Sequence, residues 1–296
     1  MTFDARKAQK APASGQQNAL FALLTLVVVC GAFFAVLSLP HKAAGHDSTR
    51  LDKVSALTTE MPNLPGEAAE SYFAALGKDD PKAQEDLSRK IARAGKRDDA
   101  ALTQLIMAHA EMVLRDHADE LGQADTKHLD TLLDMTRNRL RQAARKRSKW
   151  GNAARYADLA DMEFRQPADF ELAMAELKAP LQDYSFDVMT GLMIAIDDAR
   201  VNPVQRGALT RTDEAAMQGV VMSLMADPDV LPLMVSLKAG DDAKKTLNGV
   251  NVCRLGATAV TAAKTLPQET KGRLLAEAAR QFRDNGASAF GTGVGF

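Results

Sequence analysis

The longest apolar run of the chain reads ALFALLTLVVVCGAFFAVLSL over residues 19–39, and no charged side chain lies between Lys10 and His41. At 1.5 Å per residue, a helix over these residues is about 30 Å long, the thickness of a bilayer's hydrocarbon core. A helix also satisfies its own backbone hydrogen bonds, as lipid requires. A cleaved signal peptide would have a shorter apolar region with small residues before the cut. Here the run is long, and Pro40, His41 and Lys42 follow it. The pattern therefore predicts an uncleaved transmembrane anchor over 19–39, preceded by a short tail over 1–18. Lysine and arginine are similar in number on the two sides. The shortness of the tail decides the orientation: N-terminus in the cytoplasm, the bulk of the chain translocated. The expected location is the inner (plasma) membrane, single-pass, with an extracytoplasmic or periplasmic domain.

Residues 40–65 hold Pro40, Pro62, Pro65, several Ser/Thr and no strong apolar period, and read as a linker. From there the period is helical. Pro65-Gly66 opens a helix that Gly77 closes. Asp80-Pro81 opens the next, with Gly95 after its last turn. Asp98 begins a third, whose stripe is Leu102, Leu105, Ile106, His109 and Val113. A fourth, over 125–149, carries Leu129, Leu132, Leu133, Thr136, Leu140 and Ala144. Shorter helices are predicted at 152–164 and 168–178. The helix over 185–200, with Ser185 as its cap, is apolar nearly all round and is placed at the centre of the fold. Helices at 213–226, 230–238, 242–264 and 268–284 follow, then a Gly-rich tail over 285–296.

The predicted fold is all-α: one N-terminal transmembrane helix followed by an irregular multi-helix bundle over 66–284, with an α-helical repeat or solenoid as the alternative. Ala69, Phe73 and Pro81 have the spacing found at the end of a tetratricopeptide-type repeat. The Trp and Leu-Gly half of that pattern is missing and no second copy follows, so no family is recognised.

Composition sharpens this in three ways. Aromatics are 5% of the chain and alternating β-branched runs are missing, so a sheet has little to be built from. Net charge is −1; residues 1–49 hold Arg6, Lys7, Lys10 and Lys42 against Asp4 and Asp47, so the remainder carries −3. A whole-surface attraction to nucleic acid or anionic lipid is excluded, leaving only a local patch. The two cysteines, Cys30 in the apolar run and Cys253 far beyond it, cannot pair within one chain or hold a metal.

The most distinctive soluble feature is RNRLRQAARKRSKW over 137–150, with seven Lys/Arg and no acid. On a helix Arg137, Arg139, Arg141, Arg145, Lys146 and Lys149 point off the apolar stripe, beside Trp150; Arg147 alone falls on it. These seven residues, Trp150 included, are the partner-binding candidates, for an acidic protein face, a phospholipid headgroup or nucleic acid. The bland reading is a solvated or internally paired face. Cations favour a helix C-terminus, and acids abound at Asp158, Asp161, Glu163, Asp169, Glu171 and Glu176.

His109, Asp116, His117 and Glu120 lie close in sequence, but neither His-Glu-x-x-His nor a cysteine pair is present, so packed histidines are expected and no metal. His109-Ala-Glu111 has the form used by zinc deaminases, whose Pro-Cys-x-x-Cys half is absent. There is no Gly-x-Ser-x-Gly elbow and no phosphate-binding loop. Asp197-Asp198 ends the apolar helix, and Asp241-Asp242 caps the next. Gly249, Cys253, Gly256, Val260 and Ala263 form a small-residue seam, making Cys253 a packing residue. The terminal Phe296 resembles the end of outer-membrane barrels, but no alternating strand precedes it.

The expected function is a single-pass, membrane-anchored, non-catalytic interaction or scaffold module that binds another protein, without cofactor. The alternative is a membrane-anchored all-helical enzyme acting on a cell-envelope polymer. A buried carboxylate in a pocket would favour the enzyme, an exposed apolar patch the scaffold.

Overall fold

In the computed structural model, the structure describes residues 66–94, 99–145, 178–230 and 249–285. The predicted anchor, the linker and the helix over 152–164 lie outside the described residues, as does all of the helix over 230–238 but Val230, all of the Gly-rich tail but Asn285, which ends a helix, and nearly all of the helix over 168–178. Among the described residues every regular element is a helix, none is a strand, and no helix is long and apolar enough to cross a membrane. They are α1 (Glu67–Asp79), α2 (Pro81–Ala94), α3 (Asp99–Asp116), α4 (Ala118–Gly122), α5 (Thr126–Arg145), α6 (Lys178–Val201), α7 (Arg211–Met225), α8 (Val252–Lys264) and α9 (Gln268–Asn285).

Local chemistry explains most of the boundaries. Asp80 stands before Pro81, and its Oδ1 accepts the Ala83 amide at 3.0 Å, so α2 starts where the Asp-Pro pair predicted. Asp125 does the same for α5 by accepting the Lys127 amide at 2.8 Å. Thr210 and Asp213 form a reciprocal capping box that starts α7. Asn251 accepts the Arg254 amide at 2.9 Å and starts α8.

Four boundaries differ from the sequence reading. Gly77 does not end α1, which continues to Asp79. A Cβ at Gly77 would collide with the Gln84 side chain, whose amide donates to the Phe73 carbonyl at 3.1 Å. Gly77 leaves room for the end of the Gln84 side chain of α2 and does not stop the helix. Ser185 does not cap α6. The helix is already formed at Lys178, and Ser185 is buried within it. Gly249 lies in a turn before α8 rather than within a helix running from 242. The segment after Asp116 closes a separate short helix, α4, which the apolar period did not announce.

The helices enclose two apolar clusters. The first core joins α1, α2, α3, α4, α6 and the C-terminal half of α9 around Tyr72, Phe73, Leu76, Leu87, Ile106, Phe186, Met189, Met193, Ile196 and Phe282. Tyr72 and Phe186 stack with ring centroids 6.3 Å apart. The second core joins α5, α7, α8 and the N-terminal half of α9 around Leu133, Met217, Val220, Leu224, Val260, Ala263 and Leu266.

α6 is the centre of the first core, packing on α1, α3, α4 and α5, and Met193 and Ile196 have no solvent exposure. It is not buried all round, since Ile194 is half-exposed. α5 lies between the cores, packing on α8 and α9 on one side and α6 on the other. At its closest approach to α6, a Cβ at Gly191 would meet Leu132 at 2.7 Å. α9 packs on α4, and α6 on α1, helices far apart in sequence, which makes the fold a bundle and not a solenoid of neighbouring repeats.

Candidate functional site

The basic face predicted on α5 divides in two. Arg137 bonds Asp134 one turn back at 2.6 Å, and Arg139 crosses to Asp187 of α6 at 2.7 Å. These two cations serve the fold. Arg141 and Arg145 are exposed, with no ion-pair partner among the described residues. They stand one turn apart on one face. Lys146, Lys149 and Trp150 lie outside the described residues, as do the acids at 158–176 expected to neutralise this face.

A second surface was not singled out by periodicity. After exposed Arg211 in its first turn, the solvent side of α7 carries Ala215, Gln218, Gly219, Met222, Ser223 and Met225, without a charge. Met222 is 71% exposed and Met225 46%, and a Cβ at Gly219 would meet nothing within 4 Å. α7 is held to the bundle through its opposite face, Met217, Val220 and Leu224 against α8. The absence of charge over three turns was readable in the sequence. What could not be read is which side of α7 faces water, because both sides carry apolar residues.

The densest cluster of titratable groups is a polar corner where the end of α1 and start of α2 meet α4 and the end of α6. His117 lies between two carboxylates, its Nε2 3.1 Å from Asp80 Oδ2 and its Nδ1 3.2 Å from Glu120 Oε1. One Arg200 nitrogen sits 3.1 and 3.2 Å from the two ring nitrogens, while another donates to the Asp79 carbonyl at 2.6 Å. Lys78 reaches Asp197 of α6 at 2.7 Å. Burial and the nearby Asp197 charge hold the Asp79 carboxyl above the usual carboxylate range. Asp80 is held below it despite its burial, by the Ala83 amide and His117.

Two further buried groups lie within the electrostatic reach of Asp80. The Tyr72 hydroxyl and His109 Nδ1 have no hydrogen-bond partner among the described residues. Burial, helped by Asp80, raises the Tyr72 phenol. Burial, then Lys90, lowers His109 despite Asp86 and Asp80. His109 is thus a packed side chain, whereas His117 is held in the polar corner; no three His, Cys, Asp or Glu among the described residues are arranged to hold a metal ion.

The remaining buried charges join helices. Asp213 of α7, with 0% exposure, receives Arg273 of α9 through two nitrogens at 2.8 and 2.9 Å and Thr270 and Thr210 hydroxyls at 2.7 Å. That set holds its carboxyl far below the usual range, the Arg273 bonds contributing most. Asp130 of α5 takes buried Lys271 at 2.5 Å and Gln268 at 2.9 Å. Asp134 takes Lys264 of α8. Asp198 takes Lys127, His128 and Asn202 at 2.8, 2.7 and 3.1 Å, which lower its carboxyl. Of the acid pairs noted in the sequence, 197–198 therefore splits between two helices, and 241–242 lies outside the described residues. Cys253 is buried on α8, and burial raises its thiol, which suits packing rather than nucleophilic chemistry.

No family model matches the chain, and neither a curated protein nor a solved structure matches it.

Proposed function

We propose that this chain is a single-pass membrane protein whose helical bundle is a non-catalytic docking module for another protein. The observation that carries the docking reading is the exposed stretch of α7 from Ala215 to Met225, free of charged residues, with Met222 and Met225 in water. Exposed methionines adapt to varied apolar partners, and such a face is otherwise a solubility cost. The anchor rests on the apolar run over 19–39. Arg141 and Arg145 offer a second, electrostatic contact of the kind that speeds encounter and selects acidic partners.

The test places a photo-crosslinking residue at position 222 of the full chain in membranes. A discrete adduct that disappears when Met225→Glu is added supports the reading. An adduct-free chain, or a set of co-purifying proteins unchanged by Met222→Glu with Met225→Glu, would overturn it. Alkaline extraction of the same membranes and N-terminal sequencing test the anchor separately; a mature start near residues 40–45 would remove it.

The second reading, an enzyme of the cell envelope, has one observation in its favour: Asp79, a carboxyl held above its usual range. Against it, the Asp79 side chain is 2% exposed and no polymer could touch it. The carboxylates around His117 are engaged by His117 itself.

A further inference from the structure

Asp79 is in an unfavourable position for a carboxylate. It is the last residue of α1, where the helix carbonyls place partial negative charge. Its side chain is 2% exposed, and its Oδ1 accepts no hydrogen bond among the described residues. The cation nearest that oxygen is Lys78, at 3.7 Å, too long for a hydrogen bond. Lys78 also lies 2.7 Å from Asp197, so two carboxylates share one ammonium that is itself 72% exposed. Arg200 binds the Asp79 backbone carbonyl and not its carboxylate. The other charges at the corner, Asp80, His117 and Glu120, are bonded to one another.

We propose that the junction of α1 with α6 is a proton-operated latch, in which Asp79 takes up a proton on acidification and the neutral carboxyl seats the last turn of α1 more firmly against α6. Protonation removes the desolvation of a buried charge, the repulsion from Asp197 and the conflict with the helix end in one step. It also supplies an O–H donor where only acceptors stood. The sign follows from linkage. Asp79 is raised in the folded chain, so the native state binds more protons than the unfolded state above the ordinary value of 3.8. Its contribution to stability therefore grows as pH falls toward that value and is lost as pH rises through the folded one. His109 acts oppositely, because its folded form resists protonation. The wild-type slope alone is thus not diagnostic, and a difference between variants is.

The experiment melts the full chain in detergent at steps from pH 7.5 to 4.5, as wild type and as Asp79→Asn. The variant is expected to melt a few degrees higher at pH 7.5, with the gap closing as pH falls. A gap that stays constant, or a variant that folds and melts lower than wild type at pH 7.5, overturns the latch. Hydrogen exchange on the wild type gives a second reading that survives a misfolded variant. The Asp80 amide, which donates to the Leu76 carbonyl at 2.7 Å, reports the last turn of α1. Corrected for its intrinsic rate, its protection should rise several-fold on acidification relative to amides at the centre of α5. Unchanged relative protection overturns the latch.

Discussion

The two cores of the bundle are stabilised by different means. The first is large and apolar, with two stacked aromatics and a central methionine–isoleucine helix. It leaves polar groups unserved: the Tyr72 hydroxyl, His109 Nδ1 and Asp79 Oδ1 have no hydrogen-bond partner among the described residues. The second is built of smaller side chains, largely Ala, Val and Leu, and is crossed by ion pairs, with Asp213–Arg273, Asp130–Lys271 and Asp134–Lys264 pinning α7, α9 and α8, although Asp134 Oδ1 and the Arg137 Nε also lack a hydrogen-bond partner among the described residues. Large apolar burial can absorb the cost of an orphaned polar atom. A thin core absorbs less of it, and charge-assisted bonds fix its geometry instead. The comparison also separates roles: the buried Tyr72 hydroxyl and His109 belong to the first core, while the exposed α7 face hangs on the second.

The largest test of this contrast is Met193→Asp or Ile196→Asp. Both side chains are fully buried on α6, and an unpaired buried charge costs several kcal/mol against about 5–15 for a whole domain. Either variant should lose its cooperative melt. Circular dichroism retaining full helicity and a normal transition would show that the first core is not the one that holds the domain. Next in size is Asp213→Ala, which strips Arg273, Thr270 and Thr210 of their common acceptor. A loss of about 3 kcal/mol is expected, from charge-assisted bonds made at a fully buried site. Denaturant melts should place this loss in the second core, with exchange rising first in α7. If exchange rises equally in α1, the two cores unfold as one.

A smaller effect distinguishes the orphaned groups. His109 is lowered by burial, so the unfolded chain takes up a proton near pH 6.5 that the folded chain resists. Stability is lost as pH falls below that value. His109→Met removes both the loss and the orphaned nitrogen. The variant should gain on wild type progressively from pH 7 to 5, the reverse of the closing gap expected for Asp79→Asn. Parallel melting curves would mean that His109 has a proton acceptor or donor that offsets its burial. The smallest expected change is in Arg141, Arg145 and Lys149 reversed together to Glu. If the face is solvated, the melting temperature should move by no more than a degree or two, while a salt-sensitive association should disappear. A clear drop in melting temperature would place these cations inside the ion-pair network of the fold, beside Arg137 and Arg139.

The helical character was legible because caps and periods are local. Asp80 and Asp125 each act within three residues of themselves, while the caps at Thr210 and Asn251 escape the sequence reading. The central position of α6 was legible in part, from a run with few polar breaks, but its half-exposed Ile194 was not, since composition does not say where neighbours stop. The polar corner escaped notice because its members, Asp79, Asp80, His117, Glu120, Asp197 and Arg200, come from three helices and two junctions between helices, separated by up to 121 residues. The division of the basic face was equally hidden: Arg139 differs from Arg141 only in what α6 places opposite it.

The sequence by itself determined that the described residues from 66 onward fold as helices and that the chain lacks a motif for metal or phosphate chemistry. It also placed the longest apolar run at 19–39 and the cations at 137–149. Those properties depend on the chemistry of near neighbours, which the order of residues states directly. Only the tertiary structure decided which charges face one another, which carboxyl is left without a partner and which side of α7 meets water. Burial and Coulomb terms depend on distance in space, and that distance is set by how α6, α5 and α9 pack.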